Sequence, residues 1–262
     1  MKFSIEADLT YQFAGSPEVL LLLEAAADND QRVVSESLAI STDPNLTRLN
    51  DDASGERRVV FIAQGEVRVQ YHARVDVAPR DTLLTGAAPV PVSQLPPEAL
   101  RHLRPSRYCP SDRFERFVNR EFGASSGGDR VEAILSWIGS HVDYVAGVSD
   151  AATTALDTFV DRAGVCRDFT HLAISLCRAS QVPARAVSAY GWQLQPPDMH
   201  AVIEVYVGGK WRLADPTGKV QPDGLVRVAT GRDAADIAFM SIFGQAQLVT
   251  QRFSIEQYDG AE

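Results

Sequence analysis

The sequence predicts an α+β protein: a small N-terminal antiparallel β-sandwich, then a helical half, then an antiparallel sheet against which one buried helix packs. Three observations carry this. Apolar and polar residues alternate over residues 3–13 and again over 66–77, the period of a half-buried strand. Apolar residues recur at helical spacing between residues 111 and 179. Beyond that, short β-prone runs return, separated by glycine and proline.

Along the first strand Phe3, Ile5, Ala7, Leu9, Tyr11 and Phe13 face one way, and Lys2, Ser4, Glu6, Asp8, Thr10 and Gln12 the other. Residues 66–77 repeat the pattern, with His72 on the solvated face. Shorter β-prone runs lie near 18–26, 31–41 and 57–63, and Asp51–Gly55 reads as a hairpin connection. Residues 79–110 hold Pro79, Pro89, Pro91, Pro96, Pro97, Pro105 and Pro110, a helix-averse stretch that marks a boundary. This predicts an N-terminal domain over 1–90 and a second domain over 91–262.

Ser111 is a candidate N-cap for a helix carrying Phe114, Phe117, Val118 and Phe122. Asp129 and Glu132 open a second helix, with Val131, Ile134, Leu135, Ile138 and Val142 on its apolar face. Thr154 with Asp157 has capping-box spacing for a third, short helix. A fourth begins at Cys166 and is apolar nearly all round, so it should be the central one. Strands follow at 186–192, in a hairpin over 200–215, at 225–230 and near 248–258.

The chain of 262 residues has 45% hydrophobic and 23% charged residues, ordinary globular values. A net charge of −9 argues against nucleic acid as a partner. The first residues do not read as a signal peptide, and the longest apolar run, 19–23, is too short to span a bilayer. No membrane partner is expected. Cys109, Cys166 and Cys177 are odd in number and lack metal-ligand spacing, which points to a reducing cytoplasm with no metal or cofactor. Cys177 reads as a core residue and Cys109 as a loop residue before Pro110.

The chemistry centres on Gly164-Val165-Cys166-Arg167-Asp168. A cysteine in the first turn of a helix meets unpaired N–H groups and the positive end of the dipole, which favour a thiolate. The bland alternative is a buried helix cysteine. Downstream, Gly208-Gly209 joins two β-prone runs as a two-residue hairpin. Pairing across it sets Glu204 against Leu213 and Val202 against Asp215, so His200 and Asp215 share a sheet face, roughly 7–8 Å apart as diagonal neighbours. A carboxylate can hold an imidazole there. The alternatives are a satisfied strand histidine and a turn-starting aspartate before Pro216. His171 lies five residues from Cys166, on another helix face, and reads as structural.

Taken in order, Gly164–Asp168, Pro183-Ala184-Arg185, His200-Ala201 and Asp215-Pro216-Thr217 resemble the transglutaminase-like superfamily of papain-like cysteine enzymes. The resemblance covers about residues 100–218, and the rest resembles bacterial transglutaminase-like proteins with an N-terminal β domain. Residues 231–236 resemble a segment that follows the core in that group. Val202 departs from the Trp often found after His-Ala. The resemblance implies a papain-like core in which Cys166 is nucleophile, His200 base and Asp215 orienter. It also implies an aromatic residue near the site before the cysteine; Tyr144 is the candidate second oxyanion donor beside the Cys166 N–H. Trp192, Asp198 and Met199 are expected to line the substrate approach. The expected partner is a peptide or protein substrate. Hydrolysis of an amide or peptide is the leading expectation, from the wide use of this scaffold by hydrolases; transfer to an amine, which uses the same three residues, and a non-enzymatic interaction module on the same fold are the alternatives, and the oligomeric state is not specified.

Overall fold

The computed structural model describes residues 1–41, 46–51 and 54–258. The first strands are β1 (Lys2–Ala14), β2 (Glu18–Leu21), β3 (Gln31–Ile40), β4 (Thr47–Asp51), β5 (Glu56–Ile62) and β6 (Gly65–Val77). A connection with brief helical turns, including α1 (Pro97–Leu100), leads to α2 (Glu115–Phe122), α3 (Gly127–His141), β7 (Asp143–Tyr144), α4 (Ala155–Asp161) and β8 (Ala163–Gly164). Then come α5 (Cys166–Ala179), β9 (Ala184–Gly191), β10 (Met199–Val207), β11 (Lys210–Ala214) and β12 (Leu225–Gly231). The chain ends with α6 (Ala234–Ile237), β13 (Met240–Ile242) and β14 (Gln245–Gln257). Of the proposed hairpin connection, Asp52 and Ala53 lie outside the described residues.

Two antiparallel sheets, β14-β1-β6-β3 and β13-β2-β5-β4, form the N-terminal part. The alternation of β1 and β6 makes this face: Phe3 opposes Val75, Ala7 opposes Tyr71 and Leu9 opposes Val69, all buried. The third sheet, β11-β10-β9-β12, is also antiparallel, and α5 packs on it.

A division at residue 90 leaves out a return. β14 pairs along β1, and β13 pairs with β2, so the last part of the chain completes both N-terminal sheets. The two parts also share one apolar core running from Phe3 to Phe253. Tyr190 of β9 reaches across to donate to the Leu23 carbonyl at 2.6 Å, with its ring 6.5 Å from that of Tyr71. Gln31, buried, donates to the Ala26 and Arg227 carbonyls, both at 2.7 Å, and accepts from the Arg227 N–H at 2.9 Å.

Two helix starts differ from the sequence reading. Ser111 lies in a 3₁₀ turn, and α2 begins at Glu115. α3 starts at Gly127, before Asp129, whose carboxylate accepts from the Gly86 N–H at 2.8 Å. The glycines permit this: a Cβ on Gly128 would lie 1.8 Å from the Leu84 carbonyl oxygen. The linker therefore crosses over the helix start. Thr154 and Asp157 do form the capping box of α4. Cys109 sits in irregular chain yet is wholly buried, and burial pushes its thiol up to about 12.

Candidate active site

Cys166 is the first residue of α5, half-buried, while Asp168 to Arg178 are buried. Three features seat it. Asp168 folds back so that Oδ2 accepts from the Val165 N–H at 2.9 Å and from the Ser149 hydroxyl at 2.6 Å. That fold needs Gly164, where a Cβ would lie 2.6 Å from the Asp168 Cβ. At the far end Arg178, buried, donates to the carbonyls of Ala184, Arg104 and Arg232 at 2.9, 3.0 and 2.6 Å. The helix is thereby locked to the strand and loops around it.

The hairpin has the expected register, with Glu204 opposite Leu213 and Val207 opposite Lys210. His200, at the start of β10, also pairs with Ala189 of β9. Its Nε2 lies 2.8 Å from Asp215 Oδ2, and both side chains are buried. Asp215 also starts a turn: Oδ1 accepts from the Thr217 N–H and hydroxyl, both at 2.8 Å, and Oδ2 from the Val220 N–H at 2.9 Å. Burial works against the Asp215 carboxylate, but His200 and Thr217 outweigh it and hold its pKa below the usual value.

Burial likewise opposes protonation of His200. Hydrogen bonding and charge from Asp215 and from Cys166 overcome it, raising the ring to about 9. The other ring nitrogen, Nδ1, is buried. Cys166 lies close enough to His200 for its side chain to raise the pKa of the ring.

Cys166, His200, Asp198 and Met199 line one cavity of about 490 Å³. Tyr144 lies outside its lining yet next to Cys166. The two-residue parallel ladder of β7 and β8 pairs Tyr144 with Gly164, two positions before the cysteine. Partial burial, and then the Cys166 side chain, push the Tyr144 phenol up to about 12 against the pull of the Cys166 N–H. Trp192 is not among the residues lining this cavity: its ring lies 6.0 Å from that of Phe3, and its backbone N–H donates to the Gly224 carbonyl at 2.8 Å. β9 has ended at Gly191, and the turn carries the ring toward the N-terminal sheet.

Sequence reasoning missed the rest of the wall. Tyr108 comes from the proline-rich connection, Phe239 and Met240 from the segment entering β13, and Gln251 from β14. None has a local signal, since each is brought there by long-range pairing. His171 is apart from this group. Its Nε2 accepts from the Ala234 N–H at 3.1 Å, Tyr108 stacks on it at 5.0 Å, and burial lowers it to about 4.

Both parts of the chain resemble known proteins. Residues 116–216 match the family model of the transglutaminase-like superfamily, and residues 1–98 that of the bacterial transglutaminase N-terminal domain. A crystal structure of a protein from Cytophaga hutchinsonii, designated a "putative cysteine protease", is 36% identical, with a TM-score of 0.93 over 100% of this chain and 92% of that one. The chain belongs to the transglutaminase-like superfamily. An uncharacterized protein of Mycobacterium leprae is 30% identical over 149 residues, 52% of each chain, so this chain spans about half the length of that curated relative. In this transglutaminase-like protein the family-model match ends at residue 216, directly after Asp215, and so takes in Cys166, His200 and Asp215.

Proposed function

We propose that the protein is a cysteine-dependent amide or peptide hydrolase working through a thioacyl intermediate. The observation that carries this reading is His200, buried, bonded to Asp215 and raised to about 9 by that carboxylate together with Cys166. An imidazolium so placed is the natural partner of a thiolate at a helix start. In this reading the Cys166 sulfur attacks the carbonyl carbon, and the C=O electron pair moves onto oxygen. The Cys166 N–H and the Tyr144 hydroxyl donate to that oxygen; a phenol held near 12 keeps its proton at neutral pH. The tetrahedral species collapses, the C–N bond breaks, and His200 gives its proton to the leaving amine. Neutral His200 then takes a proton from water, whose oxygen attacks the thioester and releases the acid and the thiolate. Asp215 holds the ring throughout. The substrate in this reading is a peptide or protein, and the compartment is one that keeps Cys166 reduced, which we take to be the cytoplasm.

The match of residues 1–98 to a transglutaminase N-terminal domain favours a second reading, with an amine in place of water. The same thioester then yields a new amide. One experiment separates the two. The protein is labelled with a thiol-directed activity probe and offered a peptide library including glutamine peptides, with and without a primary amine, and Cys166→Ala serves as control. Hydrolysis predicts free acid as product with the amine present; amide product in its place supports transfer. Labelling or turnover undiminished in Cys166→Ala removes both readings.

A further inference from the structure

Besides Cys166, the cavity is lined by three side chains of charged type, Arg167, Asp198 and His200, and His200 is already held by Asp215. Arg167 is bound by Asp168 Oδ1 at 2.9 Å from Nη2 and also donates to the Asp150 carbonyl at 2.8 Å, so its charge is compensated within the protein. Asp198 is different. Both hydrogen bonds that reach it, from the Met199 N–H at 2.7 Å and from Gln251 Nε2 at 3.0 Å, fall on Oδ1. Among the described residues it forms no ion pair, and Oδ2 is left without a hydrogen bond. Asp198 is an exposed residue on the cavity lining, with its Oδ2 open to a partner. What burial it has raises its pKa, against the pulls of the Met199 N–H, Gln251 and His200. The surrounding wall is apolar and half-buried: Met199, Phe239 and Met240.

A carboxylate oxygen left open beside an apolar wall offers a cationic group a charge-assisted partner. Long cationic side chains suit such a place, because an aliphatic stem lies on the wall and the charged tip reaches the acid. The acyl half of a substrate stays on the sulfur through both steps, whereas the amine half departs after the first. The acyl half is therefore the part of the substrate that a stable adduct on Cys166 reports.

Resting on the reading of Cys166 as nucleophile, we propose that the acyl donor carries a cationic side chain, such as lysyl or ornithyl, within two residues of the attacked carbonyl. Its charge pairs with Asp198, and its stem lies against Met199, Phe239 and Met240. Gln251, which orients Asp198, comes from β14, so the N-terminal sheet takes part in reading the substrate.

The test uses pairs of peptidyl acyloxymethyl ketones that differ only in lysine against norleucine, at the first or the second residue from the reactive ketone. The thiolate displaces the carboxylate leaving group and forms a thioether, so the second-order rate of inactivation reports recognition without requiring turnover. The lysine probe should react at least about tenfold faster at one of the two positions, the scale of one hydrogen bond to a charged group. Asp198→Asn keeps an oxygen acceptor for the Met199 N–H and should bring the ratio close to one. Equal rates for lysine and norleucine at both positions overturn the proposal, as does a preference that survives Asp198→Asn. In either of those cases alkylation of Cys166 by iodoacetamide leaves the nucleophile reading standing. Failure of iodoacetamide and both ketones to react with Cys166 removes that reading and this proposal together.

Discussion

At the scale of single residues the site is an exercise in balancing burial against charge. His200 is buried, which alone would keep it neutral, yet Asp215 and Cys166 raise it to about 9. A proton held more tightly in the folded than in the unfolded chain stabilises the fold. This contribution is fully present below about pH 6.5 and fades as pH rises through about 9. Under the proposed mechanism, kcat/KM should fall along an alkaline limb near pH 9 as the imidazolium loses its proton. Asp215→Asn removes the carboxylate that favours the proton and should move that limb to lower pH; a pH–rate profile of both proteins checks this. Tyr144→Phe removes one proposed oxyanion donor. It should lower kcat by about 10²-fold or more with little change in KM, measured by steady-state kinetics. Cys166, His200 and Asp215 were legible as residues because helix start, strand and hairpin turn each leave a local pattern. The ring of Trp192 turns toward Phe3, a direction that sequence order does not state, because nothing local fixes which way a side chain leaves the end of a strand.

At the scale of elements, the seat of α5 depends on a close approach. Asp168 bends over Gly164 to reach the Val165 N–H, and the Asp168 carboxylate is gripped again by Ser149 and Arg167. Gly164→Ala would force a Cβ to within 2.6 Å of the Asp168 Cβ. It should cost about 1–3 kcal/mol of stability, read by denaturant unfolding, and should slow alkylation of Cys166 by displacing the first turn. The hairpin tells the opposite story, of local rules sufficing. Gly208 and Gly209 both adopt positive φ, 61° and 79°, as a two-residue turn of this kind demands. The register that follows carries Asp215 to His200 without help from distant parts of the chain.

At the scale of the whole molecule, the N-terminal sheets are closed by the end of the chain. β14 supplies Phe253, which packs against Tyr190 and Phe239 at 6.2 and 6.0 Å between ring centroids. Deleting residues 245–258 would leave β1 as a long unpaired edge and open the shared core. The shortened protein should aggregate or lose its cooperative thermal transition, as followed by size-exclusion chromatography and circular dichroism. It should also lose Gln251 from the cavity wall. Gln31→Leu tests the same union more gently. Removing its amide orphans the buried Arg227 N–H and the Ala26 carbonyl, and should destabilise by about 1–3 kcal/mol in a thermal melt.

Period, caps and turn residues in the chain were enough to specify the alternating strands, α4 and α5, the glycine hairpin, and the placing of Cys166, His200 and Asp215 on them. Each depends on neighbours within a few positions, where backbone geometry leaves few choices. The pairing of β14 with β1, the crossing of the linker over Gly128, the meeting of Tyr144 with Cys166 and the apolar wall around Asp198 belong to the folded molecule alone. Those arise from contacts between segments far apart in the chain, and such contacts are selected by the shape and burial of the complete core.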